Sequence, residues 1–378
     1  GYVAHTDLAA NIVAGYDFII DTAVSADGNG RDADASDPGD AYGGQPSSWH
    51  GTHVAGTVAA VTNNAKGVAG TAWGAKVMPV RALGKGGGYT SDIADAIIWS
   101  SGGTVSGVPT LSAANAADVI NMSLGGSGAC DTATQNAINS AVSRGTTVVV
   151  AAGNDNANAS GFSPASCNNV VNVASITSAS ARSSFSNYGT LIDVSAPGSA
   201  ILSTLNAGTA GPGAESYASY NGTSMASPHV AGAVALTQSR RLALGLALYT
   251  PSEMEALLKS TAYPLSGACS GGCGAGIINA KALVDAAGGT TPPPPPPPPT
   301  GGTLTKGVAV TGLAATTGNS VNYTLVVPAG ATNLTFTTSG GTGDADMYVQ
   351  FGAAPTDTSY VCRPYLGGNA ETCTIAAP

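Results

Sequence analysis

The sequence predicts an α/β domain with a parallel sheet covered by helices on both faces, then a proline-rich linker and a small all-β domain. Up to residue 288, short apolar runs alternate with alanine-rich helical segments, and eight consecutive prolines follow at 292–299. Buried strands that alternate with helices are typical of a parallel sheet. We therefore expect a first domain over 1–288, a linker over 289–302 and a second domain over 303–378.

Each element of the first domain is predicted from its own pattern. Short runs rich in β-branched and apolar residues predict strands, and longer alanine-rich stretches of helical period predict helices. The predicted strands are 76–81, 119–122, 146–151 and 170–174, and the predicted helices are 50–60, 90–101, 132–143, 224–243 and 251–260. In such a sheet, functional groups are expected at the carboxyl ends of the strands.

The linker and the second domain follow from composition. A proline run has no backbone donors and adopts the extended polyproline II helix, so it favours a spacer over a ligand for a proline-binding module. Beyond it, residues 320–327 and 333–338 alternate with period two and are separated by glycine-rich turns. This pattern predicts strands of a small β-sandwich.

The charge content excludes several classes of protein. The chain has 378 residues, 13 Lys or Arg and 22 Asp or Glu, giving a net charge of −9 with 9% charged residues. So little charge is not typical of a disordered chain, and so few basic residues argue against a nucleic-acid binder. No apolar run approaches the roughly 18 residues that cross a bilayer. Residues 1–50 hold eight Asp and a single basic residue, Arg31, a local balance of −7.

Six cysteines form three pairs by sequence position, Cys130 with Cys167, Cys269 with Cys273, and Cys362 with Cys373. A zinc site is not indicated, because no second Cys or His pair lies near Cys269 and Cys273. We expect disulfides and an oxidising compartment, and six buried thiols are the alternative.

Three segments carry residues whose side chains are suited to catalysis. His50 opens a segment of small residues, Ser224 lies where Gly222 and Thr223 lead into a long helix, and Asn154 follows the buried strand 148–151. Alone, Ser224 is an ordinary helix cap and Asn154 an ordinary turn residue. Together they supply a base, a nucleophile and an oxyanion donor.

These segments, HGTHVAGT at 50–57, AAGN at 151–154 and GTSMASP at 222–228, closely resemble the subtilisin-like (subtilase) serine peptidases. The resemblance covers nearly everything before the proline run. It implies that His50 is the general base, that Ser224 is the nucleophile and that Asn154 holds the oxyanion, while His53 is a structural neighbour.

Two further stretches, KGGGY at 85–89 and NMSLGG at 121–126, also resemble this family. The resemblance implies that they pair with an extended substrate by adding it as a strand, and that small residues leave room for the side chain on the acyl side of the cleaved bond. The implied substrate-binding residues are Gly86, Gly87, Ser123, Leu124, Gly125, Ala152 and Gly153.

The family's third catalytic residue has no counterpart here. It is an aspartate in a short Asp-Thr-Gly or Asp-Ser-Gly motif near the start of the domain, and the opening residues look like the sequence that follows that motif's aspartate. Asp7, Asp17 and Asp21 lie in other contexts and none is assigned the role. We expect the chain to be a fragment that lacks this aspartate and its strand, and to be weakly active or inactive by itself.

An acidic, glycine-rich loop at 27–40 predicts a calcium site. Oxygen ligands on a flexible loop suit Ca²⁺, although no Glu closes the loop as in an EF-hand, and a solvated acidic loop is the alternative. The candidate ligands are Asp27, Asp32, Asp34, Asp37 and Asp40.

The second domain resembles the pre-peptidase C-terminal domains of secreted bacterial peptidases, on the stretches GDADMYV at 343–349, CRPY at 362–365 and ETC at 371–373. It ends where another strand is expected, so we expect it to be truncated. The whole pattern predicts a secreted, monomeric, calcium-stabilised serine endopeptidase that acts on proteins. A non-catalytic binding protein on the same scaffold is the alternative, and a lipase-like esterase is disfavoured because the Gly-x-Ser-x-Gly elbow is absent around Ser224.

Overall fold

The computed structural model describes residues 1–288, 302–310, 313, 320–328, 330–340, 343–352, 354–355 and 359–376. The chain divides into two compact units, Gly1–Pro295 and Pro296–Pro378. All of the predicted linker except Gly302 lies outside the described residues. Across the described ranges, no helix combines the length and apolar character needed to cross a membrane.

The first unit alternates helices and strands. Its helices are α1 (Thr22–Ser25), α2 (His50–Ala59), α3 (Thr90–Ser100), α4 (Thr132–Ser143), α5 (Thr223–Ala243), α6 (Pro251–Thr261) and α7 (Ala280–Ala286), with short 3-10 helices at Ala9–Asn11 and Ala159–Gly161. Its strands are β1 (Tyr16–Asp17), β2 (Val80–Arg81), β3 (Val119–Met122), β4 (Gly126–Ser127), β5 (Thr147–Ala151), β6 (Phe162–Ser163), β7 (Val171–Ile176), β8 (Val194–Pro197), β9 (Ile201–Asn206) and β10 (Glu215–Tyr220).

A four-stranded parallel sheet forms the centre of this unit, with strand order β3, β5, β7, β8. All five residues of β5 are buried. Because side chains alternate across a strand, Val148 and Val150 pack in one apolar cluster with Ile138 of α4, while Val149 packs in another with Val230 of α5. Helices therefore cover both faces, and the predicted α/β fold is confirmed.

The predicted helices agree with the observed ones to within a residue or two at each end. The predicted strand 76–81 is wrong over most of its length, because only Val80 and Arg81 form β2. Pro79 lies in the middle of this run, and a residue without an N–H group cannot continue a hydrogen-bonded ladder. What remains pairs in parallel with β1, and Val77 forms a separate bridge to Ile12.

The second unit has an antiparallel pair of strands among its described residues, β11 (Leu334–Thr338) and β12 (Glu371–Ile375). The predicted strand 333–338 corresponds to β11. The predicted strand 320–327 is not formed, since its one described pairing is a single bridge from Thr324 to Thr303. The buried carboxylate of Glu371 accepts hydrogen bonds from the backbone N–H groups of Met347 and Leu366.

Candidate active site

Helix α2 begins at His50, so the backbone places this residue at the amino-terminal end of the helix. The preceding residue, Trp49, has a left-handed backbone with φ of 49° and ends the loop that leads into the helix. Burial lowers the pKa of His50, and the positive charge of His53 acts in the same direction. The negative charge of Asp40 opposes both effects. The imidazole is therefore held towards its neutral form, which is the form that can accept a proton.

Asn154 lies just beyond the carboxyl end of β5, where its side chain is fixed by Thr223. Its Oδ1 accepts hydrogen bonds from the Thr223 backbone N–H at 2.8 Å and from the Thr223 hydroxyl at 3.0 Å. With Oδ1 engaged, the Nδ2 group remains as the available donor, and a Cβ atom at Gly222 would lie 3.7 Å from it. The amide is thus oriented with its N–H group towards the start of α5.

Ser224 is the second residue of α5. Its backbone N–H is one of the groups at a helix start that have no partner within the helix, and the helix dipole favours negative charge there. Its hydroxyl lies 3.5 Å from the Ser123 carbonyl oxygen, a long contact for a hydrogen bond. Across residues 1–288 no hydrogen bond joins Ser224 to the His50 ring.

Ser123 has a structural role at the start of α5 that the sequence did not indicate. Pro228 lies inside this helix and has no N–H, so it cannot bond to the carbonyl group of Ser224 four residues earlier. The Ser123 hydroxyl fills this gap by donating to the Ser224 carbonyl oxygen at 2.8 Å. This contact ties the end of β3 to the helix turn that carries Ser224.

The predicted substrate-binding residues lie at the carboxyl ends of two neighbouring strands and in a turn before α3. Ser123, Leu124 and Gly125 follow the carboxyl end of β3, and Ala152 and Gly153 follow that of β5, its neighbour in the sheet. Gly86 and Gly87 form a turn before α3 with φ of 77° and 126°, which is not a regular strand. A Cβ atom at Gly125 would lie 3.0 Å from the Ser163 carbonyl oxygen, so a larger residue there would require the neighbouring backbone to move by a few tenths of an ångström.

The five aspartates predicted to bind calcium do not converge. In the part of the chain that the structure describes, no group of three or more His, Cys, Asp or Glu side chains is placed to hold a metal ion. Each carboxylate already has partners within the protein: Asp27 with Arg81 and Ser25, Asp32 with Asn29 and the N–H of Asp34, Asp34 with the N–H of Ser36, Asp37 with the N–H of Gly39, and Asp40 with Ser48. These residues therefore do not fit a single calcium site.

One aspartate of this loop, Asp27, pairs with an arginine from a distant segment, and Arg31 of the loop pairs with carboxylates outside it. Arg81 pairs with Asp17 and Asp27, and Arg31 pairs with Asp92 and Asp95 of α3 at 2.7 Å each. Guanidinium groups present several donors in a fixed plane and suit such shared carboxylates. The sequence could not reveal these partners, because Arg81 is 54 residues from Asp27.

All three expected cysteine pairs are bonded in the structure, Cys130 to Cys167, Cys269 to Cys273 and Cys362 to Cys373. The chain has no free cysteine.

Comparison with known proteins accounts for both parts of the chain. The family model described as the subtilase family matches residues 3–287, and that of the bacterial pre-peptidase C-terminal domain matches residues 320–378. An extracellular protease of Xanthomonas campestris pv. campestris is 65% identical over 387 residues, which cover 100% of this chain and 65% of that protein. An extracellular basic protease of Dichelobacter nodosus is 48% identical over 299 residues, covering 76% of this chain and 49% of that protein.

A solved structure of a protease from Pseudoalteromonas arctica is also similar. It is 56% identical with a TM-score of 0.73, and the match covers 76% of this chain and 87% of that one. The chain thus spans about half to two thirds of the length of the two curated relatives. Since the family model covers 285 of the 378 residues, and the segments that carry Asn154 and Ser224 contact each other through Thr223, this chain belongs to the subtilase family of serine peptidases.

Proposed function

We propose that this chain is the catalytic part of a secreted serine endopeptidase that hydrolyses peptide bonds in proteins through an acyl-enzyme. The observation that carries the proposal is the joint placement of Ser224 and Asn154, since Thr223 orients the Asn154 amide from the same helix turn that presents Ser224. The protease names of the relatives support the same reaction, and their extracellular names support secretion.

In the proposed reaction, His50 takes the proton of the Ser224 hydroxyl as its oxygen attacks the substrate carbonyl carbon. The resulting oxyanion is bound by the Asn154 Nδ2 group and the Ser224 backbone N–H. Both donors are fixed before the reaction, so little reorganisation is needed as the charge develops. The amino-terminal dipole of α5 adds to this stabilisation.

Collapse of the tetrahedral intermediate releases the amine, which takes the proton from His50. Water then attacks the acyl-enzyme, with His50 again as the base, and frees the carboxylic acid and Ser224. Among residues 1–288, no carboxylate is hydrogen-bonded to the His50 ring. Because an orienting carboxylate fixes the tautomer of the base, activity is to be measured in the complete protein.

We further propose that the extended substrate runs between the turn at Gly86 and Gly87 and the segment Ser123 to Gly125. Backbone groups in these segments would pair with the substrate, and Gly125, Ala152 and Gly153 would border the pocket for its acyl-side residue. The proposed domain limits are 1–288 and 303–378, and the two family models match residues 3–287 and 320–378 within them.

The test is hydrolysis of casein by the complete protein and its labelling by PMSF, with a Ser224→Ala variant. We expect this variant to lose both hydrolysis and labelling. Ser239→Ala is the matched control, because Ser239 lies on the same helix, 15 residues from Ser224, and is exposed. It should still be labelled. Hydrolysis that survives in Ser224→Ala would refute the proposal, and a wild-type protein that is neither labelled nor active would favour a binding protein on this scaffold.

A further inference from the structure

The loop that precedes His50 is closed by one carboxylate. Asp40 Oδ1 accepts a hydrogen bond from the Ser48 backbone N–H at 2.6 Å, and Asp40 Oδ2 accepts one from the Ser48 hydroxyl at 2.6 Å. Both oxygens therefore bind one residue, eight positions further along the chain. Hydrogen bonds to an ionised acceptor are stronger than those between neutral groups.

Ser48 passes this constraint to the helix that carries His50. Its Oγ accepts a hydrogen bond from the His50 backbone N–H at 3.3 Å, so the hydroxyl links Asp40 to the first residue of α2. Its carbonyl oxygen accepts a hydrogen bond from the Tyr220 hydroxyl of β10 at 2.7 Å. Ser48 is thus held from two directions, by the loop and by the neighbouring hairpin.

The residue between Ser48 and His50 also needs support. Trp49 has a left-handed backbone, which a bulky residue adopts only when its surroundings impose it. Its indole N–H donates to the Gly208 carbonyl oxygen at 2.7 Å, and its side chain is 1% exposed. Without the Asp40 contacts, Ser48 would be held less firmly on the amino-terminal side of Trp49, and the start of α2 would be free to shift.

A second contact acts one turn further along α2. The ring of Tyr220 stacks on that of His53, with centroids 4.5 Å apart and planes 6° from parallel. Tyr220 therefore contacts the helix at His53 and the loop at Ser48. These contacts fix both the position and the direction of the first helical turn.

We propose that Asp40 is a positioning residue for the general base: through Ser48 it fixes the start of α2 and so holds the His50 ring in line with Ser224. The proposal rests on the proposed peptidase function. It gives Asp40 a role other than the calcium ligation predicted from the sequence. A displacement of a reacting group by about 1 Å can lower the rate by up to ~10²-fold. A small shift of the His50 ring relative to Ser224 should therefore lower kcat.

The experiment compares Asp40→Ala with Asp131→Ala in the complete protein. Asp131 makes the same pair of contacts at the start of α4, accepting from the Thr134 N–H at 2.9 Å and the Thr134 hydroxyl at 2.6 Å, and α4 carries none of the proposed catalytic groups. The readouts are kcat and KM on a chromogenic peptide, together with Tm. We expect Asp40→Ala to lower kcat about tenfold or more with little change in KM. Asp131→Ala should lower Tm to a similar extent and leave kcat unchanged.

Two more variants separate positioning from a general loss of structure. Asp40→Asn keeps an acceptor for the Ser48 N–H and should recover most of the lost kcat. Tyr220→Phe removes the hydroxyl contact to Ser48 and keeps the ring on His53, and it should lower kcat several-fold even if Asp40→Ala does not fold. Wild-type kcat in folded Asp40→Ala or in Tyr220→Phe would overturn the proposal. If wild-type protein neither reacts with PMSF nor hydrolyses the peptide, the peptidase function itself fails instead.

Discussion

Removal of the Arg81 guanidinium should destabilise the first unit strongly. The Arg81 side chain is 4% exposed and that of Asp17 is 0% exposed, and the guanidinium also binds Asp27 and the Ser25 carbonyl oxygen. Arg81→Met would leave a buried carboxylate without its cation, which costs about 3–5 kcal/mol. At about 2–4 °C per kcal/mol for a domain near this size, Tm should fall by roughly 6–20 °C.

The effect should also depend on pH. Burial raises the pKa of Asp17 to about 6, while the Ile19 N–H and the charge of Arg81 act in the opposite direction. Without Arg81 the pKa should rise further. A carboxyl with a higher pKa in the folded state binds its proton more tightly there, so stability falls as the pH rises from the unfolded value of about 4 through the folded value. The stability lost in Arg81→Met, relative to wild type, should therefore be larger at pH 8 than at pH 5.

The assay is thermal unfolding followed by circular dichroism at these two pH values. Lys281→Met is the control, because its ion pair with Asp285 joins side chains that are 82% and 62% exposed and should contribute little. The double variant Asp17→Asn with Arg81→Met should regain part of the loss, since no buried charge is left unpaired. The reasoning is refuted if Arg81→Met is no less stable than Lys281→Met, or if its deficit does not change with pH.

Three further predictions concern stability. Burial lowers the pKa values of three histidines in the folded protein. Below about pH 6.5 the unfolded chain therefore binds protons that the folded chain does not, and Tm should fall as the pH drops. A His229→Gln variant should show a smaller fall of Tm. The three are His50, His53 and His229. Serine replacements of the Cys130–Cys167 bridge, with a sequence separation of 37, should cost about 4 kcal/mol in denaturant unfolding, against about 2 kcal/mol for the Cys269–Cys273 bridge with a separation of 4. Any fall of Tm in EDTA should be the same in Asp34→Ala as in the wild type, because Asp34 bonds only within its own loop; a smaller fall in the variant would place calcium there.

The sequence by itself determined the elements whose signals are local. The motifs located His50 at a helix start, Ser224 at the beginning of α5 and Asn154 after β5, because each depends on neighbours within a few residues. The helices were also predictable, since their hydrogen bonds and apolar periods lie within one segment. The strand over 76–81 was not, because its extent depends on distant partners in β1 and on the gap in hydrogen bonding at Pro79.

Only the tertiary structure decided which partner each polar side chain has. The acidic segment predicted calcium because the sequence shows charges and not their neighbours, and folding brings Arg81 to Asp17 and Asp27 and brings Asp40 to Ser48. Thr223 next to Asn154, and Ser123 next to the carbonyl that Pro228 leaves free, likewise depend on contacts between segments 69 and 101 residues apart. Local spacing fixes which chemical groups are present, whereas long-range packing fixes their hydrogen bonds, their burial and hence their pKa values.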